Sequence, residues 1–313
     1  VVKITKDKIE LLKKDDIKND TCVWESSILK RDIKITKNTD GMFSKFFKQS
    51  MYRQKKDVEG IKDWTKEYEL NDSAREELTS LRTAYGYLIH DHNTADVSKL
   101  VFFIDSNSEL GKPEGGNGKS VVMESIEHFK KRASMDGKMF NTGSGGQFQF
   151  SNVDIDSRFV MIDDIKPEFK IDNLFSMITG DMQVEKKGKD KFIIPADKKP
   201  KMGITSNFVL SGNDTSHTRR QHIVEFGNFW NKCSQLGIAT TDIIKKVIPN
   251  DFDLYKNWDL IFFVRIFFIC FSYSFSCPST LNIVIFFQKS DTFLAIERAP
   301  PRYTSSLKFL KTK

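Results

Sequence analysis

Cysteine is scarce in this sequence. Four cysteines (Cys22, Cys233, Cys270 and Cys277) are scattered over 313 residues with no C-x-x-C pair. That pattern argues against a zinc site or a disulfide framework and fits a reducing, intracellular setting. No secretory signal stands at the start, so an intracellular protein, cytoplasmic or nuclear in a host cell, is expected rather than a secreted one. The first residue is Val1 rather than Met, as in a fragment of a longer protein. No internal repeat is visible. No apolar run reaches the roughly 20 residues of a membrane span; the longest, at 260–275 (LIFFVRIFFICFSYSF), has about 16 and contains Arg265. His90 and His92 form an H-x-H without a third ligand at a telling spacing, so no metal site is expected there.

What is present is ordinary in amount and informative in order. Charged residues make up 29% and apolar ones 39%, the net charge is +7 and the pI is about 9.0. The basic balance suggests an anionic partner, and the length allows one large domain or two modest ones with a real core. Residues 1–70 are lysine-rich, with Trp24, Phe43, Phe46, Phe47, Tyr52, Trp64 and Tyr68 among them. They read as a mostly helical lead-in, or the end of a preceding domain. Residues 71–92 read as a helix capped by Asp72 or Ser73, with Leu78, Leu81, Tyr85 and Leu88 on one face. His90 and His92 then fall near its C-terminus, where partial negative charge favours them.

From residue 100 the rhythm changes. LVFFI (100–104) is a short apolar run of the kind that makes a strand buried on both faces, and three more apolar runs recur: RFVMI (158–162), KMGIT (201–205) and HIVEF (222–226). Helical stretches, the first at about 119–131, and loops separate them. The expected architecture is α/β with a central, largely parallel sheet.

Four elements along that sheet carry chemistry. The first is GKPEGGNGKS at 111–120, which misses G-x-x-x-x-G-K-[ST] only at Pro113. Gly115, Gly116 and Gly118 let the backbone curl around phosphates, with Glu114 and Asn117 in the same loop. Lys119 would neutralise the β- and γ-phosphates of ATP, and the Ser120 hydroxyl would hold Mg²⁺. Pro113 can start a turn but has no N–H to donate. A glycine-rich surface loop ending in Lys-Ser is the competing reading. The second element is RFVMIDDI, 44 residues after Lys119: a buried strand ending in Asp163 and Asp164 at the sheet edge where ligands bind in α/β folds. One acid would coordinate Mg²⁺, with Asp163 assigned there beside Ser120; the other would orient or deprotonate the attacking water. The third is Asn207 at the end of MGITSN, where an amide can reach the γ-phosphate or that water. The fourth is the Arg219–Arg220 pair before the last run, from which an arginine can reach a neighbouring subunit's nucleotide.

Between the second and third elements, residues 185–201 hold seven lysines against three acids. KKGKDK has β-prone flanks at 182–184 and 192–194, so it reads as a hairpin with a cationic tip. Lys186, Lys187, Lys189 and Lys191 would project toward a polyanion, or simply form a solvated lysine turn.

In this order the motifs resemble the superfamily 3 helicases, and most closely the helicase part of viral, phage and mobile-element primase–helicases. That family includes loops reading Pro-Glu-Gly-Gly-x-Gly-Lys, which accounts for Pro113. The likeness spans roughly residues 80 to 230, about half the chain. It implies an AAA+ type P-loop ATPase core, assembled as a hexameric ring with ATP between subunits. Lys119 and Ser120 then map to the phosphate and Mg²⁺ contacts, Asp163 and Asp164 to the acidic pair, Asn207 to the sensor, and one of Arg219 and Arg220 to a finger donated in trans. The lysine hairpin maps to the element presented to single-stranded or fork DNA in the channel. No primase signature is visible in residues 1–70, so a primase half lies upstream or is absent.

The expected division is a lead-in (1–70), the ATPase domain (71–250) and an apolar tail (251–313). Phenylalanine density jumps over 260–287, where Arg265 is the one charged residue, which favours a change of reading frame over a buried helix or a membrane-associated segment. A membrane-tethered protein is the least favoured reading. Two alternatives to a helicase stand: a P-loop kinase or ATPase indifferent to nucleic acid, and an inactive nucleic-acid-binding remnant.

Overall fold

The computed structural model describes residues 2–4, 9–11, 42–52, 70–94, 98–105, 115–140, 146, 148–208, 215–235 and 283–285. Two compact units divide the chain: residues 1–34 with 278–313, and residues 35–277. In the first, β1 (Val2–Ile4) lies between β2 (Ile9–Leu11) and β10 (Ile283–Ile285), antiparallel to both. Of the tail, only β10 is described, so the reading-frame question lies outside the described residues, as do Cys22, Cys270 and Cys277. Where a helical lead-in is expected, the described residues form β1, β2 and one helix, α1 (Met42–Gln49).

The second unit is built on five parallel strands: β3 (Leu100–Asp105), β4 (Arg132–Asp136), β5 (Phe159–Ile165), β8 (Lys201–Ser206) and β9 (Gln221–Phe226). Their order is β4-β5-β8-β3-β9. The four apolar runs are four of these strands, and β3 and β8 are buried at every position, as expected of strands covered on both faces. One face carries Leu100, Phe102, Ile104, Val160, Ile162, Met202 and Ile204. Packed in the same cluster are the hairpin of β6 (Met182–Val184) and β7 (Phe192–Ile194) and the short α4 (Phe175–Thr179). On the other face α3 (Lys119–Glu124) lays Met123 over Gly203, where an added Cβ would come within 2.7 Å of the Met123 sulfur.

α2 (Asp72–Ile89) packs against β9 and β8. Leu78, Leu81, Tyr85 and Leu88 are its buried face. The cap is Asn71 rather than Asp72 or Ser73: its side chain accepts from the Ala74 N–H at 2.8 Å. His90 does not stay charged at the helix end as expected. It is buried at 2% exposure, and burial, then Lys201, Lys130 and His92, push its pKa well below the usual imidazole value.

Because the five strands are parallel, the C-terminal ends of β3, β5 and β8 all meet one edge of the sheet. Three polar residues near those ends, Asp105, Asp163 and Asn207, therefore converge where the loop at 115–118 feeds α3. The result is an α/β, P-loop ATPase-like fold.

Candidate active site

The loop enters α3 through Gly118 at φ +88, with Gly116 at φ +84, both left-handed conformations that disfavour any other residue. The N–H groups opening α3 have no side-chain cap, which leaves them for a ligand or water. Glu114 and Pro113 lie outside the described residues. Gly115, Gly116, Asn117, Gly118, Lys119 and Ser120 all line one cavity of about 350 Å³, together with Asp163, Asp164, Thr205 and Asn207. The structure thus brings together the described parts of three of the four motifs, from strand ends far apart in sequence.

Hydrogen bonds join them. The Lys119 ammonium meets Asp105 Oδ1 at 2.5 Å and donates to Asn207 Oδ1 at 2.9 Å. The Asn207 amide donates onward to Asp164 Oδ1 at 2.9 Å, and Asp164 Oδ2 meets the Lys138 ammonium at 2.5 Å. Ser120 Oγ donates to Asp163 Oδ1 at 2.7 Å, and Thr205 Oγ1 donates to the same oxygen at 2.5 Å. Burial pushes the Lys119 pKa down from the usual lysine value, opposed first by Asp105. The exposed Lys138 is pushed up by its hydrogen bond to Asp164.

The acidic pair sits on an irregularity in β5, where the register with β8 shifts between Ile162 and Ile165. Asp164 takes φ +56, alone among the described non-glycine residues. A bulge of this kind re-aims side chains, and here it sends two consecutive carboxylates into one cavity instead of to opposite faces. Two contacts hold it. The Asp164 N–H donates to Thr205 Oγ1 at 2.8 Å, and Gly137 N–H donates to the Asp163 carbonyl at 2.6 Å.

The arginines are elsewhere. α5 (Thr215–Arg220) delivers Arg219 and Arg220 to the N-terminal end of β9, whose Gln221 pairs with Leu100 at the start of β3. That is the opposite end of the sheet from Asp105, about 17 Å away for five strand steps. Neither arginine lines the cavity. Arg219 is exposed, while Arg220 is half-buried, lies over the Phe175 ring at 4.7 Å and donates to the Ser216 carbonyl at 3.3 Å.

The lysine-rich stretch divides three ways. β6 and β7 form the expected hairpin, with Met182 paired to Ile194 and Val184 to Phe192. Gly188 at φ +70 and a Lys189 N–H to Lys186 carbonyl bond of 3.1 Å close the turn. Lys187, Lys189 and Lys191 are exposed. Lys186 does not project with them: its ammonium meets Asp154 Oδ1 at 2.6 Å. Lys199 and Lys201 point inward. The first donates to the carbonyls of Met177, Ile178 and Gly180; the second donates to the His92 carbonyl at 2.6 Å and lies over the Tyr87 ring.

Several contributors were not singled out from sequence: Asp105, Thr205, Lys138, and the aromatic pair Phe46 and Trp230. Phe46 of α1 stacks on Trp230 of α6 (Phe229–Gln235) at 4.6 Å between centroids, and both line the cavity against Gly118. Trp230 Nε1 donates to Ser50 Oγ at 3.0 Å, and the Asn231 amide donates to the Gly115 carbonyl at 2.9 Å. The loop is therefore clasped by α1 and α6, which lie at opposite ends of the unit's described residues in sequence.

Comparison with known proteins adds the following. A family of unknown function, DUF5906, matches residues 112–220. No curated protein matches. Among solved structures, the apo NrS-1 C-terminal region is similar over 77% of this chain and 47% of its own, with 10% identity and a TM-score of 0.42. JCV helicase is similar over 74% of this chain and 59% of its own, with 10% identity and a TM-score of 0.40. The chain thus spans about half the length of these structures. Among the described residues no helix is long and apolar enough to cross a membrane.

Proposed function

We propose that this protein is an ATP-dependent nucleic-acid helicase or translocase serving replication of a virus, phage or mobile element, hydrolysing ATP at the subunit interfaces of a ring, in the hexameric form that its resemblance to the superfamily 3 helicases implies. The observation that carries the ATPase part is the continuous chain Lys119–Asn207–Asp164, with Ser120 on Asp163 alongside. One cation from the start of α3, and one amide and two carboxylates from the ends of β8 and β5, face one cavity. That is the set phosphoryl transfer to water requires.

The cavity volume of about 350 Å³ lies within the range of small-molecule sites, and the glycine loop leaves room above Gly115 and Gly116, where an added Cβ would meet nothing within 4 Å. Lys119 donates an N–H to phosphate oxygens. Ser120 and Asp163 offer adjacent oxygens, a donor set that suits Mg²⁺, which supplies charge neutralisation on the phosphates. Asp164 accepts the proton of the attacking water or orients it, and Asn207 reports the γ-phosphate between Lys119 and Asp164. Arg219 is the favoured finger, because it is exposed and too far from its own cavity to act there; Arg220 is engaged with Phe175. Either would act on a neighbouring copy.

The nucleic-acid part rests on the hairpin. Lys187, Lys189 and Lys191 form a small exposed cationic patch on an element inserted between the acidic strand β5 and the sensor strand β8. Contacts of this kind bind phosphates with little sequence preference. Single-stranded DNA binding followed against salt, on wild type and on the triple alanine variant of these lysines, tests this part. Unchanged affinity and salt dependence in the variant would remove it and leave a P-loop ATPase or kinase that does not act on nucleic acid.

A further inference from the structure

A phosphate loop presents its lysine to the ligand, yet here that lysine already has two protein partners. An ammonium has three N–H groups; Lys119 directs one to Asp105 Oδ1 at 2.5 Å and another to Asn207 Oδ1 at 2.9 Å. Asp105 closes β3 with its side chain 1% exposed, against 6% for Lys119. The Asn117 amide donates to the same oxygen at 2.8 Å. Asp105 does not itself line the cavity, so it stands behind Lys119 and leaves the third N–H for a ligand. A carboxylate at that depth is sustained only by such pairing.

The charge balance follows. Among the described lining residues the charges are Lys119, Asp163 and Asp164. Asp105 cancels Lys119 and Lys138 cancels Asp164, while Asp163 has the hydroxyls of Ser120 and Thr205. Among the described residues the site is net anionic in spite of its lysine. We propose that Asp105 is a specificity-determining residue: it makes the site admit a nucleoside polyphosphate together with its divalent cation and reject the metal-free form. The proposal rests on the ATP-site reading above. A metal-free polyphosphate brings its negative charge close to Asp105 and Asp163 in a poorly screened wall, whereas the cation-bound form turns Asp163 from a repulsive group into an attractive one.

The test is calorimetric binding of ADP, with Mg²⁺ and with excess chelator, to the full chain and to its Asp105→Asn and Asp105→Glu variants. Wild type is expected to prefer the Mg²⁺ form by at least about thirtyfold, and Asp105→Asn to narrow that ratio below about fivefold by binding metal-free ADP about tenfold tighter. Asp105→Glu keeps the wild-type ratio. Equal binding of both forms by wild type overturns the proposal without any variant, should Asp105→Asn fail to fold. An unchanged ratio in Asp105→Asn, or equal weakening of both forms, also overturns it while leaving the ATP site standing. Wild type that binds neither form refutes the ATP site itself, and the proposal with it.

Discussion

Replacing Gly118 by alanine tests the clasp around the phosphate loop. The new methyl meets two obstacles. At φ +88 the backbone is left-handed, which costs an L-residue about 1–2 kcal/mol. Its Cβ would also lie 2.8 Å from Phe46 Cζ and 3.3 Å from Trp230 Cδ1. Neither ring can yield easily: each is about 2% exposed, they stack at 4.6 Å, and Trp230 is tied to Ser50. Overpacking of this kind costs about 1–3 kcal/mol. The sum is a loss of about 2–5 kcal/mol, a large share of a typical domain's stability. Gly115→Ala is the matched control, since its Cβ meets nothing within 4 Å and its φ is not positive. Urea unfolding followed by Trp fluorescence and by far-ultraviolet circular dichroism reads both variants. Gly115→Ala should stay within about 0.5 kcal/mol of wild type. A Gly118→Ala loss no larger than that of Gly115→Ala would refute the clasp.

Three further outcomes are expected. Thr205→Val leaves the Asp164 N–H without its acceptor and should cost about 1–3 kcal/mol in urea unfolding, with slower ATP turnover because the bulge no longer fixes Asp164; unchanged stability would mean that the Thr205 bond does not hold the bulge. Alanine at Lys187, Lys189 or Lys191 should each lower the salt slope of single-stranded DNA binding by about one, whereas Lys186→Ala, already matched to Asp154, should change it less; equal effects at all four would contradict the assignment. Burial pushes Lys199 down to about 8 from 10.5. Between those pH values the unfolded chain binds the extra proton, so this group makes stability rise with pH. Thermal melts from pH 7.5 to 10.5 should show that rise, and Lys199→Met should flatten it.

What the sequence revealed depended on how local each signal is. The buried strands announced themselves as apolar runs, and the hairpin as β-prone flanks around a glycine turn, because both patterns are written within a few neighbouring residues. β4 did not. Only Ala133 and Met135 of RASMD are buried, and an edge strand needs no apolar run. Asp105 followed LVFFI and read as the start of a loop, whereas it closes the strand, buried by a pairing 14 residues away. The Phe46–Trp230 stack joins residues 184 apart, beyond any periodicity. The acidic pair was legible as two carboxylates, but not the bulge that lets both face one cavity. The lysine run was legible as charge, yet Lys186 pairs with Asp154 and Lys199 and Lys201 turn inward, to partners that only the fold supplies.

The central claim is a nucleic-acid-stimulated ATPase that works between copies of itself. The most direct measurement is ATP hydrolysis by the full chain over a range of protein concentrations, with and without single-stranded DNA, beside Lys119→Ala. The account predicts turnover per chain that rises with DNA and with concentration and disappears in Lys119→Ala. Turnover that ignores both DNA and concentration, or that survives in Lys119→Ala, would contradict it.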